Sequence, residues 1–136
     1  MIPYKHTVQY YETDKMGITH HSNYIRWMEE ARIDFLNQLG WGFEKLEAMG
    51  MVSPIISVEG KYKKSTYFPE VISIIVKVTE FKGVKLKLDY IMTNSDDEVV
   101  FTGHSEHCFL DTTGRPIKMS REYPEFNDIL VKKAEG

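Results

Sequence analysis

Asp14, Gly17, the adjacent pair His20 and His21, and Tyr24 lie in one short stretch, ETDKMGITHHSNY, which ends where an amphipathic pattern begins. A carboxylate held beside an electrophilic carbonyl can act as nucleophile or as general base. Gly17 permits a tight backbone bend shortly after Asp14. The first N–H groups of the helix that follows have no intrahelical partner, and with the positive end of the helix dipole they favour developing negative charge. An attacking carboxylate and a site for an oxyanion are the two parts that acyl transfer needs. A solvated Asp in a turn is the plainer reading of the same residues.

The histidines raise a second chemistry, because His20 and His21 together with His104 and His107 suggest metal ligation. Their spacing argues against it. Positions 104 and 107 point to opposite faces of one strand, and no cysteine or carboxylate is patterned around either pair at zinc-like spacing, so no metal site is expected. Cys108 is the single cysteine. It can form no internal disulfide, and its place in the strand-like run VVFTGHSEHCFLD favours core packing over a nucleophilic role. In KYKKSTY, Lys61, Lys63 and Lys64 alternate with aromatic and hydroxyl residues. That run is either a solvated strand edge or a contact for the phosphates of a nucleotide-like tail.

These residues need elements to hold them. Residues 6 to 12 (HTVQYYE) are rich in aromatic and β-branched types and are expected to form a short first strand, with the Asp14 stretch as its exit loop. From Ser22, Tyr24, Trp27, Met28, Ala31, Phe35 and Leu39 recur at spacings of three and four, which predicts a long helix of about 27 Å. Ser22 is expected to cap its first turn through the hydroxyl, and Gly40 to end its last. A short helical turn, FEKLEAMG, follows. From Val52 the period changes to two. VISIIVKVTEF reads as a central strand, VKLKLDYIMT alternates almost strictly, Lys82-Gly83 marks a tight hairpin between them, and VVFTGHSEHCFLD is the last long strand. Pro124 suits the first position of a C-terminal helix, PEFNDILVKK. The order predicts an α+β fold in which a five-stranded antiparallel sheet wraps one long central helix, with an unpaired strand edge that invites a second subunit.

The bounds set by composition agree. A chain of 136 residues fits one domain, 1–136, with a single core. It carries 42% hydrophobic and 27% charged residues, and 17 basic against 20 acidic side chains leave a formal charge of −3. Neither nucleic-acid binding nor a membrane span is expected, since no basic bias exists and no apolar run approaches about 20 residues. The N-terminus has no apolar core or cleavage site of a secretory signal, which makes a cytoplasmic protein the expectation.

The stretch VQYYETDKMGITHHSNYIRWMEEAR resembles the opening motif of the 4-hydroxybenzoyl-CoA thioesterase family of hotdog-fold acyl-CoA thioesterases. The resemblance rests on Asp14, Gly17, His20, His21, Asn23, Tyr24, Trp27, Glu29, Ala31 and Arg32, and continues more loosely through SPIISVEGKYKKSTYFPEVISIIVKV. It implies a hydrolase that cleaves an acyl-CoA thioester to free acid and CoA, with no metal and no organic cofactor. Asp14 matches the family's catalytic carboxylate, as nucleophile or general base. His21 matches the position whose backbone N–H polarises the thioester carbonyl, Gly17 shapes the loop, and Tyr24 belongs to the substrate-binding set. A His at 21 matches the branch acting on aliphatic or less specialised acyl-CoAs more than the aromatic-acyl branch. Where the aromatic-acyl enzymes carry a basic cluster for CoA phosphates, this chain has FKGVK. Lys82 and Lys85 are therefore the nearby candidates, joined by Lys61, Lys63 and Lys64. The resemblance also implies a homo-oligomer, a dimer or a dimer of dimers (a homotetramer), with active sites at the dimer interface. An acyl-carrier-protein thioesterase and a non-catalytic acyl-thioester binder are the rival readings.

Overall fold

A computed structural model describes residues 1–136. The strands are β1 (Tyr4–Thr7), β2 (Met51–Val52), β3 (Ile55–Tyr62), β4 (Val71–Lys82), β5 (Lys85–Thr93), β6 (Val99–Cys108) and β7 (Leu110–Asp111). The helices are α1 (Ser22–Gln38), α2 (Phe43–Ala48), α3 (Met119–Glu122) and α4 (Pro124–Glu135). Five strands form one antiparallel sheet in the order β1-β4-β5-β6-β3, and β2 pairs with β7 apart from it.

The period-two pattern decides which face of the sheet is dry. Leu86, Leu88, Tyr90 and Met92 of β5 are buried, as are Ile72, Ile74 and Val78 of β4 and Phe101, Ser105 and His107 of β6. Tyr24, Trp27, Met28, Ala31, Phe35 and Leu36 of α1 join the same core cluster. A helix needs a long apolar stripe to lie across a sheet, and this one has it. Gly103 lets α1 approach the sheet, and Gly60 leaves room for a ring from the neighbouring strand. A Cβ at Gly60 would stand 2.1 Å from Phe101 Cζ, and one at Gly103 would stand 2.9 Å from Met28 Cε.

Gly40 ends α1 with φ 83°, while the N–H of Trp41 reaches back to the carbonyl of Leu36. This is the left-handed stop expected of a glycine after the last turn. The hairpin at Lys82-Gly83 is also as expected, with Gly83 at φ 66°. Three expectations are revised. The first strand is Tyr4–Thr7, where pairing with β4 holds it, and Tyr10–Glu12 curls into a 3-10 turn closed by a bond from the Gln9 N–H to Glu12 Oε1. Ser22 does not cap α1; His21 is the capping position, and the Ser22 hydroxyl lies 2.9 Å from His20 Nδ1. The helical layer holds two long helices rather than one. Phe126 and Leu130 of α4 are fully buried, and Phe126 stacks on Trp41 at 4.6 Å and meets Phe109 edge-on. No helix is long and apolar enough to cross a membrane.

Candidate active site

The loop between the 3-10 turn and α1 is tied down at Glu12, which is only 6% exposed. Its Oε1 accepts from the Gln9 N–H at 2.8 Å and lies 2.8 Å from His6 Nε2, while Oε2 accepts from Trp27 Nε1 at 2.8 Å. Burial pushes this carboxyl up, but the bonds from His6, Gln9 and Trp27 outweigh burial and hold it below the ordinary Glu range. The carbonyl of the same residue accepts from the His20 N–H and from Asn23 Nδ2, at 2.8 and 2.9 Å. Glu12 thus fixes the start of α1 against the strand end. Sequence reasoning gave it no role, although the Gln9/Glu12 pair has the spacing of a capping box.

Asp14 follows in a turn closed by the Gly17 N–H on the Asp14 carbonyl at 3.0 Å, with Gly17 at φ 79°. The Met16 N–H donates to Asp14 Oδ1 at 2.8 Å, and Oδ2 has no protein donor. One oxygen is therefore held and the other is free. At the helix start the N–H of Ser22 reaches His20 Nδ1 at 3.3 Å, that of Asn23 reaches the His20 carbonyl at 3.0 Å, and that of Tyr24 reaches the His21 carbonyl at 3.4 Å. The His21 N–H alone among these donors has no protein acceptor. Tyr62 pins the next peptide, donating its hydroxyl to the His21 carbonyl at 3.0 Å.

Asp14, His21, Tyr24, Tyr62, Lys63 and Lys64 line one open cleft of about 360 Å³. Tyr24 contributes its ring rather than its phenol. The hydroxyl lies 2.9 Å from Thr66 Oγ1, burial raises its pKa, and the ring stacks on Phe101 at 5.0 Å. Thr19 and Thr66, joined at 2.6 Å, hold the Asp14 loop to the segment after β3. Neither threonine nor Tyr62 was singled out from the sequence, because only the fold brings them together.

The lysines divide by position. Lys63 and Lys64 reach the cleft, although the Lys64 ammonium is paired with Glu98. Lys61 lies on the outer sheet face with Asp89 and His104. Lys82 and Lys85 sit at the β4–β5 hairpin. The cleft end of β5 is Met92, paired with Phe101, so the hairpin lies ~23 Å away at ~3.3 Å per residue. One subunit therefore does not bring Lys61, Lys82 and Lys85 to Asp14. His104 faces outward between Asp89 at 2.7 Å and Glu106 at 3.1 Å, while His107 is buried on the inner face.

An antiparallel sheet with a long helix across its face, entered through an acidic loop, is the hotdog arrangement of thioester-cleaving proteins. The chain belongs to the thioesterase-like superfamily, whose family model matches residues 8–133. It is 30% identical over 126 residues to a Bacillus subtilis protein provisionally named acyl-CoA thioesterase YneP, covering 92% of this chain and 91% of that one. The structure of DHNA-CoA thioesterase from Staphylococcus aureus superposes with a TM-score of 0.89 at 30% identity, over 94% of this chain and 87% of that chain. That of a gentisyl-coenzyme A thioesterase superposes with a TM-score of 0.79 at 26% identity, over 87% and 97%.

Proposed function

We propose that this thioester hydrolase cleaves acyl-CoA to free acid and CoA, with Asp14 as nucleophile or general base and the His21 N–H polarising the thioester carbonyl. The observation that carries the reading is the pair of unsatisfied groups in one cleft: Asp14 Oδ2 without a donor and the His21 N–H without an acceptor. A thioester carbonyl offers the acceptor that the N–H lacks, and the charge that grows on its oxygen is stabilised by the helix start. The free carboxylate oxygen attacks the carbonyl carbon or takes a proton from an attacking water. Gly17 shapes the loop, Tyr24 walls the cleft, and Lys63 offers an unpaired ammonium to CoA phosphates. Lys61, Lys82 and Lys85 can serve only through a partner subunit. Membership of the 4-hydroxybenzoyl-CoA thioesterase family and a cytoplasmic setting belong to the same reading, as does a single domain over 1–136.

The names of the relatives support a CoA thioester as the substrate, with CoA as the leaving group. Delivery on an acyl carrier protein is the alternative that Lys61 and Lys63, exposed and without ion-pair partners, favour. Turnover of one acyl group on CoA and on a carrier protein separates the two. The decisive variant is Asp14→Asn. It leaves the melting temperature unchanged and lowers thiol release at least ~100-fold; release near the wild-type rate would overturn the assignment.

A further inference from the structure

The His21 N–H belongs to a peptide whose other polar end is the His20 carbonyl. A peptide is planar, and this one is trans, so whatever holds the His20 oxygen also fixes the direction in which the His21 N–H points. Both donors on that oxygen come from Asn23. Its backbone N–H lies 3.0 Å from the His20 oxygen, and its side-chain Nδ2 lies 3.2 Å from it. The same Nδ2 reaches the Glu12 carbonyl at 2.9 Å, and that carbonyl also accepts from the His20 N–H at 2.8 Å. Two carbonyl acceptors call for an NH2 group, which sets the orientation of the Asn23 amide. Asparagine is mostly a surface residue, yet Asn23 is buried.

We propose that Asn23 is a positioning residue for thioester cleavage: its side chain clamps the His20–His21 peptide to the carbonyl of Glu12 and sets both the aim and the strength of the His21 N–H. The proposal rests on the thioesterase reading and adds a residue to it. Aim follows from planarity. Strength follows from polarisation, because donors on a peptide's carbonyl draw charge toward the oxygen and leave its N–H a better donor. An oxyanion donor is effective because it is fixed before the charge arrives, and a peptide free to rotate loses that advantage. The other groups around His21 are already engaged. The Ser22 N–H is on His20 Nδ1, and Tyr62 holds the His21 carbonyl. Residue 21 is therefore gripped from both sides, by Asn23 through the peptide before it and by Tyr62 through the peptide after it. The far end of the clamp is anchored as well, since the Glu12 carboxylate is tied to His6, Gln9 and Trp27.

The test uses Asn23→Leu, which keeps the outline of the side chain without its donors and brings no charge, with Asn23→Ala as the second variant should the first not fold. Thiol release is followed with benzoyl-CoA or hexanoyl-CoA, whichever the wild type turns over faster. In the variant, kcat falls ~10-fold or more while KM stays within about threefold, because a weakened oxyanion donor is felt most in the transition state. A merely structural role predicts the opposite split, a lowered melting temperature and a raised KM with kcat unchanged, and that result would overturn the proposal. The ligand-free protein supplies a second readout. Loss of a donor on the His20 carbonyl moves the amide nitrogen resonance of His21 upfield; a resonance that stays in place shows that Asn23 does not set this peptide. The two levels of the argument separate cleanly. If the wild type releases no thiol from either ester, the hydrolysis reading fails, and the His21 resonance still decides whether the clamp exists. If the wild type turns over and the variant keeps its kcat, the clamp fails and hydrolysis stands.

Discussion

Two carboxylates two residues apart are given different work by their surroundings. Glu12 is dry and has both oxygens engaged, so it acts as a strut between the strand end, Trp27 and the helix start. Asp14 is partly exposed and keeps one oxygen free. Glu12→Gln turns one accepting oxygen into an NH2 that faces either the Trp27 or the Gln9 N–H, at a cost of ~1–3 kcal/mol at neutral pH. The sign of its pH dependence follows from the lowered pKa. The contribution is complete above the unfolded value near 4.5 and is lost as pH falls through the folded value. A thermal melt series should therefore show Glu12→Gln several degrees below wild type at pH 7, with the gap closing toward pH 3; a gap independent of pH would refute the ionised strut. At this scale the site was readable where it is local. Asp14, Gly17 and His21 lie within eight residues of chain, and a glycine bend before a helix start is a sequence signal. The lysines were not readable, because strand parity and distance along the sheet decide where their side chains fall.

Among the elements, α1 and the β4–β6 meander follow from pattern alone. Apolar spacing of three and four ending at Gly40 leaves one solution for α1, and Leu86, Leu88, Tyr90 and Met92 could share only one face of β5. What escaped were the elements whose form is set by their partners. The first strand slides to Tyr4–Thr7 because β4 pairs with it there, and Tyr10–Glu12 leaves the sheet because Glu12 turns inward to Trp27. β2 and β7 are two residues each and carry no period. α4 was foreseen as a helix but not as a second covering layer, since its packing on β4 and the contacts of Phe126 with Trp41 and Phe109 place it there. Gly60 shows how an element transmits to the site. Phe101 fills the space where its Cβ would stand, and Phe101 in turn supports Tyr24 and Tyr62 at 5.0 and 5.2 Å. Gly60→Ala must displace that ring, at ~1–3 kcal/mol. It lowers the melting temperature and, by loosening the Tyr62 bond to His21, raises KM in the same preparation; unaltered kinetics beside a lowered melt would show that the ring supports the core without supporting the cleft.

At the scale of the whole molecule, the two edges of the sheet are unlike. β1 has four residues, whereas β3 has eight, all exposed. Ile55 and Val58 of β3 line a groove beside Ile25 and Met28 of α1, and Ile56 at the register shift is 50% exposed. A long apolar edge with free backbone groups is a template for pairing, and proteins that keep one normally cover it. A second copy laid antiparallel against β3 about a two-fold axis exchanges the strand ends. It would bring the Lys82–Lys85 end of one subunit toward the Asp14 end of the other, which is the only way those lysines reach the CoA phosphates. Both this dimer and any further pairing of dimers are proposals, and Val58→Asp tests the first. Val58 is 38% exposed in the single chain, so the charge costs the isolated fold little, yet two copies meeting at β3 would bury two like charges. Sedimentation should show the wild type as a dimer or tetramer and Val58→Asp as a monomer with an intact circular dichroism spectrum. If the wild type sediments as a monomer at micromolar concentration, the edge is not an interface, and a role for Lys82 and Lys85 in substrate binding falls with it.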